Sequence, residues 1–489
     1  MSRGPAAAGI LLVGGTLTTL AWGAFAFGAV YDWAFRPLGM AAIVVGVTAL
    51  LLYRRRAALA LPFGLVCAAL TCAVAVQLAP LPDAVLTRVS PGTASFLSRY
   101  DFTYTAERTP DPRGEVPTTP RPRPISIDPV ATQHAIFLLV ACTLLAGGTT
   151  VLTSTRGSRP LVVGLLGLGV ALAVFGIAQD VSIGNVPHMR VYGFWKTEEG
   201  ASPFGPFINR NHFAGWMVMV LPFTLTLMVE RIGRSVPLDR LSVRDLGRAL
   251  ASGDASSGLM YGAMGLLMAL SVAMTESRSG LLALGAGAGL LALHVARTHR
   301  ASGAAKALAG VVLTLVLVGA VGAGLQTAVG HFFITNEKSA TLNIASAGGR
   351  FEIWSGAARM ATASPLTGYG LGSFDTAAII LQDGRMNAHW NAAHNDYLQL
   401  AVEGGLLVCL PALLALVMLV RDTRRRFAEA PAYGSTYWNR VGAVIGLLSI
   451  GVQSVFEFSL QMPGNAALFA VLIGIALHRS PNVRTTDVG

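Results

Sequence analysis

Charge is what this sequence has least of. Only 12% of its 489 residues are Asp, Glu, Lys or Arg, where a soluble globular chain carries about 25%. The deficit is arranged in blocks: apolar runs of roughly 20 residues, the length a helix needs to cross a bilayer, recur from one end to the other. A soluble globular protein is therefore excluded. Cysteine is scarce as well. Cys67, Cys72, Cys142 and Cys409 all lie inside apolar runs and have no metal-type spacing. They read as packing residues, and neither a disulfide nor a metal site is expected. Despite a net charge of +11, no basic face interleaves with aromatics, so nucleic acid is not an expected partner. No internal repeat of about twenty to fifty residues is evident either.

What the sequence has is apolar length, 53% hydrophobic residues with 55 glycines among the chain. About twelve transmembrane helices are expected, near 8–30, 37–53, 59–79, 131–152, 160–179, 211–230, 258–275, 279–296, 307–328, 395–420, 440–458 and 464–478. The first run is not read as a cleaved signal peptide, because a small-residue cleavage site is missing and a second span follows almost at once. Arginine placement sets the orientation. Arg54, Arg55 and Arg56 open a series of basic connectors that continues with Arg156 and Arg159, then Arg231 to Arg248. Arg297, Arg300 and Lys306 come next, followed by Arg421 to Arg426 and then His478, Arg479 and Arg484 in the tail. Every second connector is basic, so both termini are expected in the cytoplasm.

The other connectors differ in kind. One, 80–130, is proline-rich (PDPRGEVPTTPRPRP) and is expected to be irregular and partly extended. A second runs over 180–210. The longest, 326–394, contains RFEIWSGAARMATASP, which sets Phe351, Ile353, Trp354, Ala357, Ala358 and Met360 at helical spacing. That pattern predicts a helix lying at the membrane interface, broken by Pro365 and the glycines of TGYGLGSF. Four regions follow: helices and the proline-rich loop over 1–130, central helices over 131–328, a large periplasmic loop over 329–394, and C-terminal helices with a tail over 395–489.

The polar signals all fall on the expected outer face. GPFINRNHFAG presents Asn209, Arg210, Asn211 and His212 directly before the sixth span. An N-cap accounts for one asparagine and leaves an arginine on the wrong side for topology. TESRSGLLAL holds Arg278 in a tight turn, with Glu276 as its possible ion-pair partner; an arginine there is costly unless it snorkels or meets an anion. GGRFEIW puts Arg350 at a helix start, where the dipole opposes a cation; a solvated arginine is the plain alternative. NAHWNAAHNDYLQLAVEGG brings His394, Asn395 and Asp396 to the entrance of the tenth span, with Glu403 further in and His389 as a competitor for His394. Alone it reads as a capping cluster. Together, the arginine forks suit diphosphate oxygens and the histidine suits proton acceptance near neutral pH.

At these residues the chain resembles the O-antigen ligase/polymerase (Wzy_C) superfamily: GPFINRNHFAG, ESRSG, RFEIW…SPLTGYGLGSF and HNDYLQLAVEGG occur in the family's order, over roughly Gly193 to Pro411. The resemblance implies an all-α, GT-C-like polytopic protein of the bacterial inner membrane, with a large periplasmic loop between helices 9 and 10. It implies metal-independent, cofactor-free transfer from an undecaprenyl-diphosphate-linked glycan donor. The acceptor would be a hydroxyl of glycan, of lipid A–core or of protein. Arg210, Arg278 and His394 are the implied catalytic residues. Arg350, Asn209, Asn211, His212, Asn395 and Asp396 are the expected substrate-binding residues. Within the superfamily the implied activity is O-antigen or exopolysaccharide polymerase or O-antigen ligase; protein O-oligosaccharyltransferase is an alternative. A lipid-linked glycan transporter or flippase is the alternative from another class. Transporters keep ionisable groups near the midplane, and Glu457, placed inside the eleventh span, is the residue that would support that reading.

Overall fold

The computed structural model describes residues 3–109, 120–183, 190–197, 201–235, 253–297, 347–381, 390–429 and 434–479. The protein is an all-α polytopic membrane protein. Helices α1 (Arg3–Phe25), α2 (Asp32–Leu52) and α3 (Leu61–Val76) are followed by three short ones, α4 (Asp83–Val89), α5 (Pro91–Tyr100) and α6 (Phe102–Ala106). Next come α7 (Pro129–Arg156), α8 (Arg159–Ile183), α9 (Arg210–Ser235), α10 (Gly253–Met274) and α11 (Arg278–Arg297). After α12 (Ala347–Ala363) and the short α13 (Phe374–Ala377), α14 (Asp396–Glu429), α15 (Ser435–Gln453) and α16 (Pro463–Leu477) complete the order. A two-stranded hairpin pairs β1 (Arg190–Val191) with β2 (Trp195–Lys196). Helices lie where the first to eighth and the tenth to twelfth spans are expected. The expected ninth, 307–328, falls outside the described residues. Among the described residues eight helices are long and apolar enough to cross a membrane, and α3 and α16 are shorter apolar helices.

The bundle is organised around α9. This helix is apolar on every side and its membrane window is 89% buried, as expected of a helix enclosed by others. Phe213, Trp216, Met217, Met219, Val220 and Phe223 all lie in the main core. Without a hydrophobic drive between helices in lipid, close packing needs small residues at the crossings. Gly280 on α11 and Gly446 on α15 supply them: a Cβ would come within 2.6 Å of the Ala214 Cβ and 2.4 Å of the Met219 carbonyl oxygen.

One expectation about the connectors needs correction. The first half of 80–130 is helical rather than irregular, because α4 to α6 bury Leu86, Ala94, Phe96 and Tyr104. The Asp101 carboxylate caps α6, accepting from the amides of Thr103 and Tyr104 at 2.9 and 3.1 Å. The proline-dense residues 110–119 lie outside the described residues. The helix α12 forms where the spacing predicts it, and one side of it packs against protein. Ile353, Ala357 and Met360 enter a small core with Tyr369, Phe374, Trp390 and Val402, while Phe351, assigned to the apolar face, is 73% exposed.

That small core is latched to α14 through a break. Gly405 has φ +53°, a left-handed geometry that an L side chain adopts only with strain. Leu406 and Leu407 donate to the carbonyls of Pro365 and Leu366, while Tyr369 and Gly370 donate to those of Val402 and Glu403. The interrupted helix thus trades its own hydrogen bonds for bonds to the 365–370 turn. At the end of α3, the buried Gln77 amide donates to the Thr367 and Glu403 carbonyls and accepts from the Leu371 amide, all within 2.9 Å.

Candidate functional site

Each polar block of the sequence sits at a helix entrance. Asn209 caps α9, its side-chain oxygen accepting from the Asn211 amide at 2.8 Å. Arg210 is therefore the first residue of α9. Ser277 caps α11 by accepting from the Gly280 amide at 3.1 Å, which makes Arg278 the first residue of that helix. Arg350 lies in the first turn of α12. Asn395 caps α14, accepting from the Leu398 amide at 3.0 Å. A cation at a helix start is disfavoured by the dipole, by roughly 0.3–1 kcal/mol. Arg3 and Arg159 open α1 and α8 in the same way, so the position is not peculiar to these blocks, and helix stability explains none of these arginines.

Contacts join the blocks into one site. Arg210 Nη1 lies 3.1 Å from Glu276 Oε2, two residues before Arg278. Next to Arg210, the Asn211 side chain donates through Nδ2 to Glu457 Oε1 at 2.8 Å. The other oxygen of Glu457 faces His394 Nδ1 at 3.3 Å. One turn after Arg350, Trp354 Nε1 donates to the carbonyl of Ala393, next to His394, at 3.1 Å. The residues read as the four motifs thus meet at one end of the bundle.

Charge is distributed unevenly across this site. The Glu457 side chain is fully buried and that of His394 is 17% exposed, so the pair opens to its surroundings on the histidine side. The Arg210–Glu276 pair is a rim contact, with side-chain exposures of 37% and 80%. An exposed pair of that kind contributes about 0–1 kcal/mol, so an incoming anion can take Arg210 from Glu276 at small cost. Arg278 is exposed and pairs with no acidic side chain among the described residues.

His394 itself has φ +49°, a backbone geometry costing on the order of 1–3 kcal/mol for a residue with a side chain. Its neighbours hold it there. The Ala393 amide donates to Gln399 Oε1 at 2.9 Å, and the Asp396 amide to the Ser454 carbonyl at 2.9 Å. The Asp396 carboxylate accepts from Ser454 Oγ at 2.8 Å and from Gln461 Nε2 at 3.1 Å. Asp396 thereby fastens the start of α14 to the turn between α15 and α16. His212 is 5% exposed and its Nε2 has no hydrogen-bond partner among the described residues. Its ring packs edge-on to Phe458 at 4.7 Å, and His394 packs edge-on to the same ring at 5.0 Å.

Glu457 and Phe458 are the residues that sequence reasoning missed. The expected eleventh span, 440–458, places Glu457 inside the membrane, where it would support a transporter. Helix α15 instead ends at Gln453, and Glu457 sits in the following turn beside His394. A carboxylate between two phenylalanines, Phe456 and Phe458, was the available signal. His389 lies outside the described residues. Among the described residues no three His, Cys, Asp or Glu side chains are grouped to hold a metal ion.

Residues 263–416 match the family model described as O-Antigen ligase, Wzy_C. The match supports the O-antigen ligase/polymerase superfamily and, in general terms, a glycan-transfer function in a membrane. It begins within α10 and ends within α14, so it includes Arg278, Arg350 and His394 and leaves the Asn209–His212 cluster and Glu457 to either side. No curated protein matches the chain.

Proposed function

We propose that the protein transfers a glycan from an undecaprenyl-diphosphate donor to an acceptor hydroxyl on the periplasmic face of the inner membrane, as an O-antigen or exopolysaccharide polymerase or an O-antigen ligase. The observation that carries this reading is the contact between Glu457 and His394. With Nδ1–H donating to a buried carboxylate, the imidazole is held in one tautomer and Nε2 keeps its lone pair. That nitrogen takes the proton of the acceptor hydroxyl as its oxygen bonds to the anomeric carbon. The bond from that carbon to the diphosphate oxygen breaks, and the electron pair leaves on the diphosphate. Arg278 and Arg210, each the first residue of a helix, where the dipole favours negative charge, meet that charge. Glu457 touches no reacting atom and is a positioning residue.

The burial of Glu457 at the site end also favours transfer over transport, whose ionisable groups belong at the midplane. The test is a gel of surface glycans from a deletion strain complemented with wild-type protein, His394→Ala or Arg278→Ala. Both variants should reach the membrane at normal levels and fail to restore the product. Single-repeat products in the deletion identify a polymerase, and long lipid-linked chains missing from lipid A–core identify a ligase. Full restoration by both variants overturns the site assignment.

A further inference from the structure

The opposite end of the bundle carries a polar feature that glycan transfer does not use. Helix α7 begins at the site end, where Thr132 donates to the Leu371 carbonyl. Its 28 residues carry it about 40 Å away at the usual rise per residue. There it meets the turn between α2 and α3. Arg56 donates to the Ser154 carbonyl, and Arg156 Nε lies 3.4 Å from Tyr53 Oη. Between them is a pocket of about 220 Å³ lined by Leu52, Tyr53, Arg54, Arg55, Arg56 and Thr155.

Three guanidiniums share this pocket, and none has an acidic partner among the described residues. Topology alone asks only that arginines be present on that side; it does not ask that they surround a concavity. Apolar surface borders it. Leu51 and Leu52 on α2 are 69% and 53% exposed, and Leu61 and Leu65 on α3 are 57% and 60% exposed. Guanidinium forks suit a phosphate oxyanion, and the exposed leucines suit acyl chains. A free phosphate would use the first and leave the second uncovered.

We propose that this pocket binds the phosphodiester headgroup of an anionic phospholipid. Arg54 and Arg55 at the rim take the phosphate oxygens. Arg56, tied to α7, and Thr155 form the floor. The acyl chains run along Leu51, Leu52, Leu61 and Leu65. The site lies at the membrane surface opposite the transfer chemistry and does not depend on it.

The test uses the purified full chain in nanodiscs of phosphatidylcholine with phosphatidylglycerol as the minor lipid, and native mass spectrometry to read the lipid retained. Wild type should enrich phosphatidylglycerol roughly tenfold or more over its share of the disc. The Arg54→Gln/Arg55→Gln variant should lose most of that enrichment. Arg424→Gln/Arg425→Gln, which removes two exposed arginines from the end of α14, should keep it. Added inorganic phosphate, in excess over the lipid, should not displace it. Equal loss in the two variants would attribute the enrichment to overall charge and overturn the pocket. Displacement by inorganic phosphate would make it a free-anion site and overturn the lipid assignment. Absence of enrichment in wild type would also overturn it.

Discussion

Two buried carboxylates stand at the site end of this protein, and they are used in opposite ways. Glu403, on α14, accepts from the amides of Gly372 and Phe374 and from the Gln399 side chain, at 2.9 to 3.1 Å. Its partners are groups that neither titrate nor move away. Glu457, in the turn after α15, accepts from Asn211 and faces a histidine. One carboxylate closes a joint between α14 and the 365–374 turn; the other faces the Nδ1 side of a histidine ring. Burial is nearly the same, 4% against 0% exposed, so burial does not distinguish the two. The identity of the partner does. Arg440 extends the contrast at the opposite end: it is buried and donates to the carbonyls of Ala476 and Arg426 at 3.0 and 2.8 Å. A cation satisfied by backbone is a clamp.

The largest effects should come from the open side of this comparison. Removing a general base typically costs about 10²–10⁴-fold in rate, so His394→Ala should leave no detectable product while the detergent-solubilised protein melts normally. Glu457→Gln should come next, with kcat lowered about 10–10²-fold, KM little changed and thermal stability nearly kept. A variant that unfolds instead would place Glu457 beside Glu403 and dissolve the contrast. Arg278→Lys should be impaired by roughly tenfold in transfer, because an ammonium cannot form a bidentate fork; full activity would mean only a point charge is needed. Glu403→Gln should act on stability, by about 1–3 kcal/mol in a melting experiment, and leave the rate per folded molecule unchanged. The smallest effect belongs to Asp101→Ala, at the cap of α6. Loss of that cap should cost about 1 kcal/mol, and an effect on transfer would give the α4–α6 segment a part in acceptor binding.

Much of the scaffold was legible because hydropathy is a local property. Runs such as 131–152 and 160–179 announce helices whatever surrounds them, and α7 and α8 lie there. The proline-rich connector misled, since α4 to α6 are held by burial against residues remote in the chain: Ser90 Oγ is 3.1 Å from Ser364 Oγ and Thr93 donates to the Ile125 carbonyl. The end of α15 misled for a different reason. QSVFEFSLQM offers no glycine or proline before Pro463, so the apolar pattern runs on past the point where the helix stops.

The sequence by itself determined that the chain lives in a membrane, where most of its helices run, and that four polar blocks stand at helix entrances. Each of these follows from neighbours within one or two turns. Tertiary structure alone decided which blocks share a site, and which polar side chains are caps, latches or open groups. Asn211 and Glu457 are 246 positions apart, and Glu457 and His394 are 63 apart. A contact between residues so distant is set by how helices pack, and packing at α9 depends on small residues whose effect appears only when the helices meet.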